Sequence, residues 1–233
     1  MRKAVAIADE PLYGSPPVPD SPPRYRLAIF DFDGTLSDSG DWFLSVVDHL
    51  AERFRFRHVG PDEIDLLRHK TTREVIAHIG IPRWKLPFIA RYVRRLVAEN
   101  THKISLFPQT TQLLERLDAA GVAIALVTSN AEANARRILG PENAARIKWY
   151  ECGASLYGKA PKFRRVLKRA GVAPGDAIAI GDETRDIDSA REVGIPCGAV
   201  LWGYASRDAL IRLGPDAAFE DGDAVVRFVT GRE

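Results

Sequence analysis

Residues 27–39, LAIFDFDGTLSDS, constrain this chain more than any other stretch. They open with the apolar run Leu27, Ala28, Ile29 and Phe30, the pattern of a strand buried on both faces. Asp31 and Asp33 follow, either side of Phe32, and the chain turns at Gly34. Side chains alternate along a strand, so both carboxylates point to one side at its carboxyl end. In an open α/β sheet ligands bind at that end. Like charges so placed repel, and a fold keeps them together only with a cation or a shared proton nearby.

Further strand ends carry polar groups. An apolar run from Val122 to Val127 ends in Thr128, Ser129 and Asn130. A hydroxyl there, with the N–H groups of the following helix start, can hold a phosphate oxygen. Lys159 follows Gly158 just before a basic helix over residues 160–170 that stops at Gly171. Residues 177–180 form another strand, followed by Gly181 and Asp182, with Asp186 one helical turn further on. Residues 147–152 and 197–201 read as the remaining strands, and helices are expected at 109–120, at 131–139 up to Gly140 and Pro141, and through 190–193. This alternation argues for a doubly wound parallel sheet in the α/β class.

Between the first strand and the rest, residues 41–100 carry only helical signals. Trp42, Val46, Val47, Leu50 and Phe54 recur near a 3.6-residue period, Pro61 opens a second helix, Thr71 or Thr72 caps a third that Gly80 stops, and residues 83–98 give a fourth. Residues 1–24 are crowded with Pro, Gly and Ser and read as a disordered or polyproline-like lead-in.

Composition narrows the function class. Lys and Arg total 33 against 31 Asp and Glu, so no polyelectrolyte signature for nucleic acid is present. Two separated cysteines, Cys152 and Cys197, read as free thiols of a reducing compartment. No apolar run approaches the ~20 residues that span a bilayer. The expectation is a cytoplasmic protein, monomer or homodimer, with no membrane or nucleic-acid partner.

Each polar strand end taken singly is ordinary: a turn, a helix cap, a solvated lysine. Their order is not. DFDGTLSD, then a strand ending in Thr128-Ser129, then Lys159, then GDETRDIDSA resembles the haloacid dehalogenase-like (HAD) hydrolase superfamily from about residue 27 to 201, with the phosphoglycolate-phosphatase and β-phosphoglucomutase-like branch nearest. The resemblance implies a Rossmann-like core over residues 25–38 and 106–233 with an all-helical cap inserted at 39–105. It further implies Asp31 as nucleophile, Asp33 as general acid and base, and Mg²⁺ held by Asp31, the Asp33 backbone carbonyl and Asp182. Asp186 would anchor a metal-bound water or orient Lys159. Lys159 would neutralise the phosphoryl oxygens, and Thr128, Ser129, Asn130 and Gly34 would line the phosphate site. In the cap, Lys70 and Arg73 would face the leaving group. The activity implied is a Mg²⁺-dependent phosphatase on a small phosphorylated metabolite, with a phosphomutase or a non-enzymatic regulator on the same fold as alternatives. Two departures stand out: Lys162 competes with Lys159 for the third motif, and Glu183, with Asp188 near it, stands where many members have Ser.

Overall fold

A computed structural model describes residues 22–154 and 158–232. The proline-rich lead-in expected at 1–24 therefore lies outside the described residues except for its last three. There the chain is already tied to the core, Arg24 N–H donating to Thr230 O at 3.2 Å. In chain order the elements are β1 (Leu27–Phe30), β2 (Ser37–Asp38), α1 (Gly40–Phe54), α2 (Pro61–Arg68), α3 (Thr72–His78), α4 (Leu86–Asn100), β3 (Ser105–Leu106), α5 (Thr110–Ala119) and β4 (Ala123–Val127). They continue with α6 (Glu132–Arg146), β5 (Ile147–Glu151), α7 (Ala160–Ala170), β6 (Ala177–Gly181), α8 (Thr184–Val193), β7 (Cys197–Val200), α9 (Arg207–Ile211), β8 (Ala217–Phe219) and α10 (Gly222–Thr230).

Six strands form one sheet in the order β5-β4-β1-β6-β7-β8, and each neighbouring pair runs parallel. The chain winds outward from β1 through β4 and β5, then returns beside β1 as β6 and winds the other way. This reversal is the switch point at which open α/β sheets bind ligands. Phe30 is in register with Leu126 of β4 and with Ile180 of β6, so the three strands end at one level.

Alternation along β1 divides the core. Ala28 and Phe30 pack with Leu113, Leu114 and Leu117 of α5 and with Val225, Val226 and Val229 of α10. Leu27 and Ile29 face the other way, against Phe163, Val166 and Leu167 of α7 and Ile187 and Ala190 of α8. Both faces are fully buried, which is why β1 reads as an unbroken apolar run rather than an alternating one.

The expected parallel α/β sheet is present, and α1 to α4 occupy the stretch read as wholly helical. Three details depart from the expected element bounds. The axis of α6 breaks at Gly140 (φ 74, ψ 165), but helix resumes through Arg146. The helix expected at 190–193 begins already at Thr184. A short antiparallel ribbon, Ser37 opposite Leu106 and Asp38 opposite Ser105, closes the base of the helical segment where the chain leaves and re-enters the sheet. Among the described residues no helix is long and apolar enough to cross a membrane.

Candidate active site

The parity of β1 carries into the site. Asp31 continues the Leu27–Ile29 side, which is covered by α7 and α8. Lys159, the N-cap of α7, and Asp186, in the first turn of α8, meet it there. Lys159 Nζ lies 2.6 Å from Asp31 Oδ2 and 2.5 Å from Asp186 Oδ1, with all three side chains at most 7% exposed. Burial works against the Lys159 charge, but the Asp186 and Asp31 carboxylates outweigh it and hold its pKa above the ordinary lysine value.

Asp182, immediately after β6, is fully buried. Thr35 Oγ1 donates to its Oδ1 at 2.8 Å, and the Tyr204 backbone N–H donates to its Oδ2 at 2.9 Å. Burial, then the charges of Glu183, Asp31 and Asp186, push its pKa well above the usual carboxylate range. Carboxylate oxygens of Asp31, Asp182 and Asp186 lie within 4.8 Å of one another. Such a crowded, desolvated, all-oxygen donor set is short of positive charge and fits a hard divalent cation. Two glycines let the backbone pass close enough to form it. A Cβ at Gly34, where φ is +81, would fall 2.2 Å from Asp182 Oδ2, and one at Gly203 would fall 2.2 Å from Asp182 Cβ.

Asp33 lies outside this carboxylate triad. Its Oδ1 accepts from Ser39 Oγ at 3.0 Å, and Ser39 Oγ is 2.6 Å from the Tyr204 hydroxyl. Burial, with the charge of Asp31, raises its pKa to about 6, so near neutrality it can both hold and give up a proton.

Thr128 and Asn130 reach the same edge of the sheet. Thr128 Oγ1 accepts from the Asn130 N–H at 3.0 Å, and the Asn130 side-chain oxygen accepts from the Ala131 N–H at 2.9 Å, at the start of α6. Asn130 Nδ2 faces the Asp33 carboxylate at 3.4 and 3.5 Å. Ser129 is half-buried between them. Lys162 points elsewhere: its Nζ donates to Thr128 O at 2.6 Å and also to Gly153 O, bracing the strand ends from beneath.

In the helical segment, the loop at 68–73 does reach the core. Among the described residues its cross-boundary hydrogen bonds come from Arg68 and Thr72, not from Lys70 or Arg73. Arg68 donates to Tyr204 O and Gly203 O at 2.9 and 3.3 Å, and Thr72 Oγ1 donates to Glu183 Oε2 at 2.7 Å. Sequence reading passed over Ser39, Thr35 and Tyr204. Thr35 lies inside the first motif and Ser39 directly follows it, so both could have been flagged there. Tyr204 sits in a loop beyond β7 with no motif around it.

The chain is similar to proteins of one known family. The model of the haloacid dehalogenase-like hydrolase family matches residues 28–200. A phosphoglycolate phosphatase of Synechococcus elongatus is 27% identical over 206 residues, covering 88% of this chain and 97% of that protein. The tyrosine-protein kinase PtkA of Mycobacterium tuberculosis is 32% identical over 192 residues, covering 78% of this chain and 64% of that longer protein. A haloacid dehalogenase-like family hydrolase from Streptococcus pneumoniae superposes with a TM-score of 0.73 at 22% identity, covering 88% of this chain and 98% of its own. With the profile match running from β1 to the end of β7, across every strand end that carries a polar group described above, the chain belongs to the haloacid dehalogenase-like hydrolases.

Proposed function

We propose that this hydrolase is a divalent-metal-dependent phosphatase of a small phosphorylated metabolite, working through an aspartyl-phosphate. The observation that carries the reading is the pairing of two carboxylates in different surroundings at one strand end. Asp31 is ion-paired with Lys159, while Asp33, two residues on, is held by Ser39 with its pKa raised to about 6. A nucleophilic carboxylate beside a second one whose pKa is raised towards neutrality, so that it can give and take a proton, is what phosphomonoester cleavage by a carboxylate requires.

In the first step an Asp31 carboxylate oxygen attacks phosphorus, the bond to the ester oxygen breaks, and Asp33 gives its proton to the departing alkoxide. In the second, Asp33 takes a proton from water as that water attacks phosphorus, releasing phosphate and restoring Asp31. Lys159 offsets the negative charge gathered around the phosphoryl oxygens. The Thr128 hydroxyl and the N–H groups at the start of α6 serve a transferring oxygen. Asp31, Asp182 and the Asp33 carbonyl would hold Mg²⁺, with Asp186 beside them; when bound, the ion supplies charge neutralisation for an anionic substrate entering an anionic pocket. We assign the helical segment at 39–105 as a cap whose loop at 68–73 closes over the leaving group, with Lys70 and Arg73 at its edge. The core comprises 25–38 and 106–233.

The phosphoglycolate phosphatase relative, which this chain matches over 97% of its length, makes 2-phosphoglycolate the first substrate to try. Turnover on a panel of phosphorylated metabolites with Mg²⁺ tests the reading. Hydrolysis that vanishes in Asp31→Asn and with chelator supports it. Folded protein that releases no phosphate from any ester overturns it, and transfer of the phosphoryl group back to substrate would make it a mutase.

A further inference from the structure

Glu183 is a residue of the fourth motif to which the mechanism gives no task. It adjoins Asp182, yet the triad of mutually close carboxylates is Asp31, Asp182 and Asp186. Its two oxygens are engaged with other partners. Oε1 accepts from Arg185 Nη2 at 2.7 Å, and Oε2 accepts from Thr72 Oγ1 at 2.7 Å. Thr72 is 111 residues away in sequence, at the start of α3 in the segment assigned as the cap. The Glu183 side chain is 18% exposed, so its hydrogen bonds are partly shielded from water.

The same loop makes a second contact of a different kind. Arg68 donates to the carbonyls of Gly203 and Tyr204, and its own carbonyl accepts from the Ser206 N–H at 2.8 Å. On the core side those bonds use backbone alone and need no particular residue at 203, 204 or 206. The Thr72 to Glu183 bond joins two side chains and exists only if both identities are right. Arg185 fixes the carboxylate so that one oxygen is left facing the cap.

We propose that Thr72 and Glu183 form a latch that holds the loop at 68–72 down on the core, making Glu183 a positioning residue for cap closure and not a metal ligand. The kinetic part of its test rests on the phosphatase reading; the structural part does not. A hydroxyl bonded to a partly buried carboxylate is a charge-assisted bond, so losing it should raise KM about 5–10-fold with a smaller change in kcat.

The experiment compares Thr72→Val, Thr72→Ser, Glu183→Gln and the Thr72→Val/Glu183→Gln double variant in the full chain. Amide hydrogen exchange is read over 68–72 and 203–206, where the Ser206 amide is protected by a cap carbonyl. Exchange should rise several-fold in Thr72→Val and Glu183→Gln and stay at the wild-type rate in Thr72→Ser. The double variant should be no worse than the more affected single one, in exchange and in KM alike. Wild-type exchange in Thr72→Val, or additive effects in the double variant, would overturn the latch. If the wild type hydrolyses no phosphoester, the phosphatase reading fails, while the exchange rates still decide the latch.

Discussion

Lys159 and Asp31 meet at 2.6 Å with side chains only 7% and 4% exposed. Asp186 lies 2.5 Å from the same ammonium, so one cation serves two buried carboxylates. Removing it takes away the ion-pair partner of both carboxylates in a low-dielectric pocket, whereas removing Lys162 costs two hydrogen bonds to carbonyls and no ion pair. Lys159→Met should lower kcat by about 10²–10³-fold. Lys162→Met should instead lose about 1–3 kcal/mol of stability, and what folds should keep activity within an order of magnitude. Steady-state kinetics and denaturant unfolding on both variants separate the roles. A dead Lys162→Met beside an active Lys159→Met would reverse the assignment.

Asp33 titrates at about 6 in the folded chain against an ordinary 3.8. Between those values the folded state binds more protons than the unfolded one, so this group's contribution to stability falls as pH rises through that window. Asp33→Asn stays neutral throughout. In chelator it should stabilise the protein by about 1–2 kcal/mol at pH 7.5, after allowance for partial solvation, with the gain vanishing towards pH 4. Urea unfolding at the two pH values gives the answer, and a gain independent of pH would refute the shifted carboxylate.

Metal should stabilise the fold through Asp182. Mg²⁺ at a hundred times its Kd adds about 2.7 kcal/mol to a protein that binds it only when folded. Asp182→Asn preserves the shape of the residue while removing its charge, and its thermal midpoint should no longer respond to Mg²⁺ or to chelator. A Mg²⁺ response of wild-type size in that variant would place the ion elsewhere.

Gly203→Ala tests the close approach beneath the same carboxylate. Its Cβ would fall 2.2 Å from Asp182 Cβ, so backbone or side chain has to shift. Stability should drop by about 1–3 kcal/mol, and the Mg²⁺-induced rise in thermal midpoint should shrink. Gly175→Ala, where an added Cβ meets nothing within 4 Å, serves as the neutral control.

Much of this protein could be read from its sequence because the information was local. An apolar run of β1 length followed by two carboxylates two residues apart fixes a buried strand and the side on which Asp31 emerges. The helical period through residues 41–100 is equally local. So are Gly171 and Gly194, which end α7 and α8 in the left-handed conformation. The fourth motif was legible because Asp182 and Asp186 sit on one strand end and one helical turn. Short elements without a strong pattern were not: β8 has three residues, and the β2–β3 ribbon has two on each side.

The tertiary structure decided what depends on partners far along the chain. Lys159 and Lys162 are three residues apart in one basic stretch, and only the packing of α7 against α8 and the sheet sends one ammonium to Asp31 and the other to the Thr128 carbonyl. Ser39 and Tyr204 are 165 residues apart, and their contact beside Asp33 follows from where the loop after β7 comes to rest. The tie between Glu183 and Thr72 has the same origin. Strand, helix and turn preferences act over a few residues and are written in sequence. The site's charge balance depends on which side chains share a buried volume, and that volume exists only once the sheet and its two helical layers have closed around it.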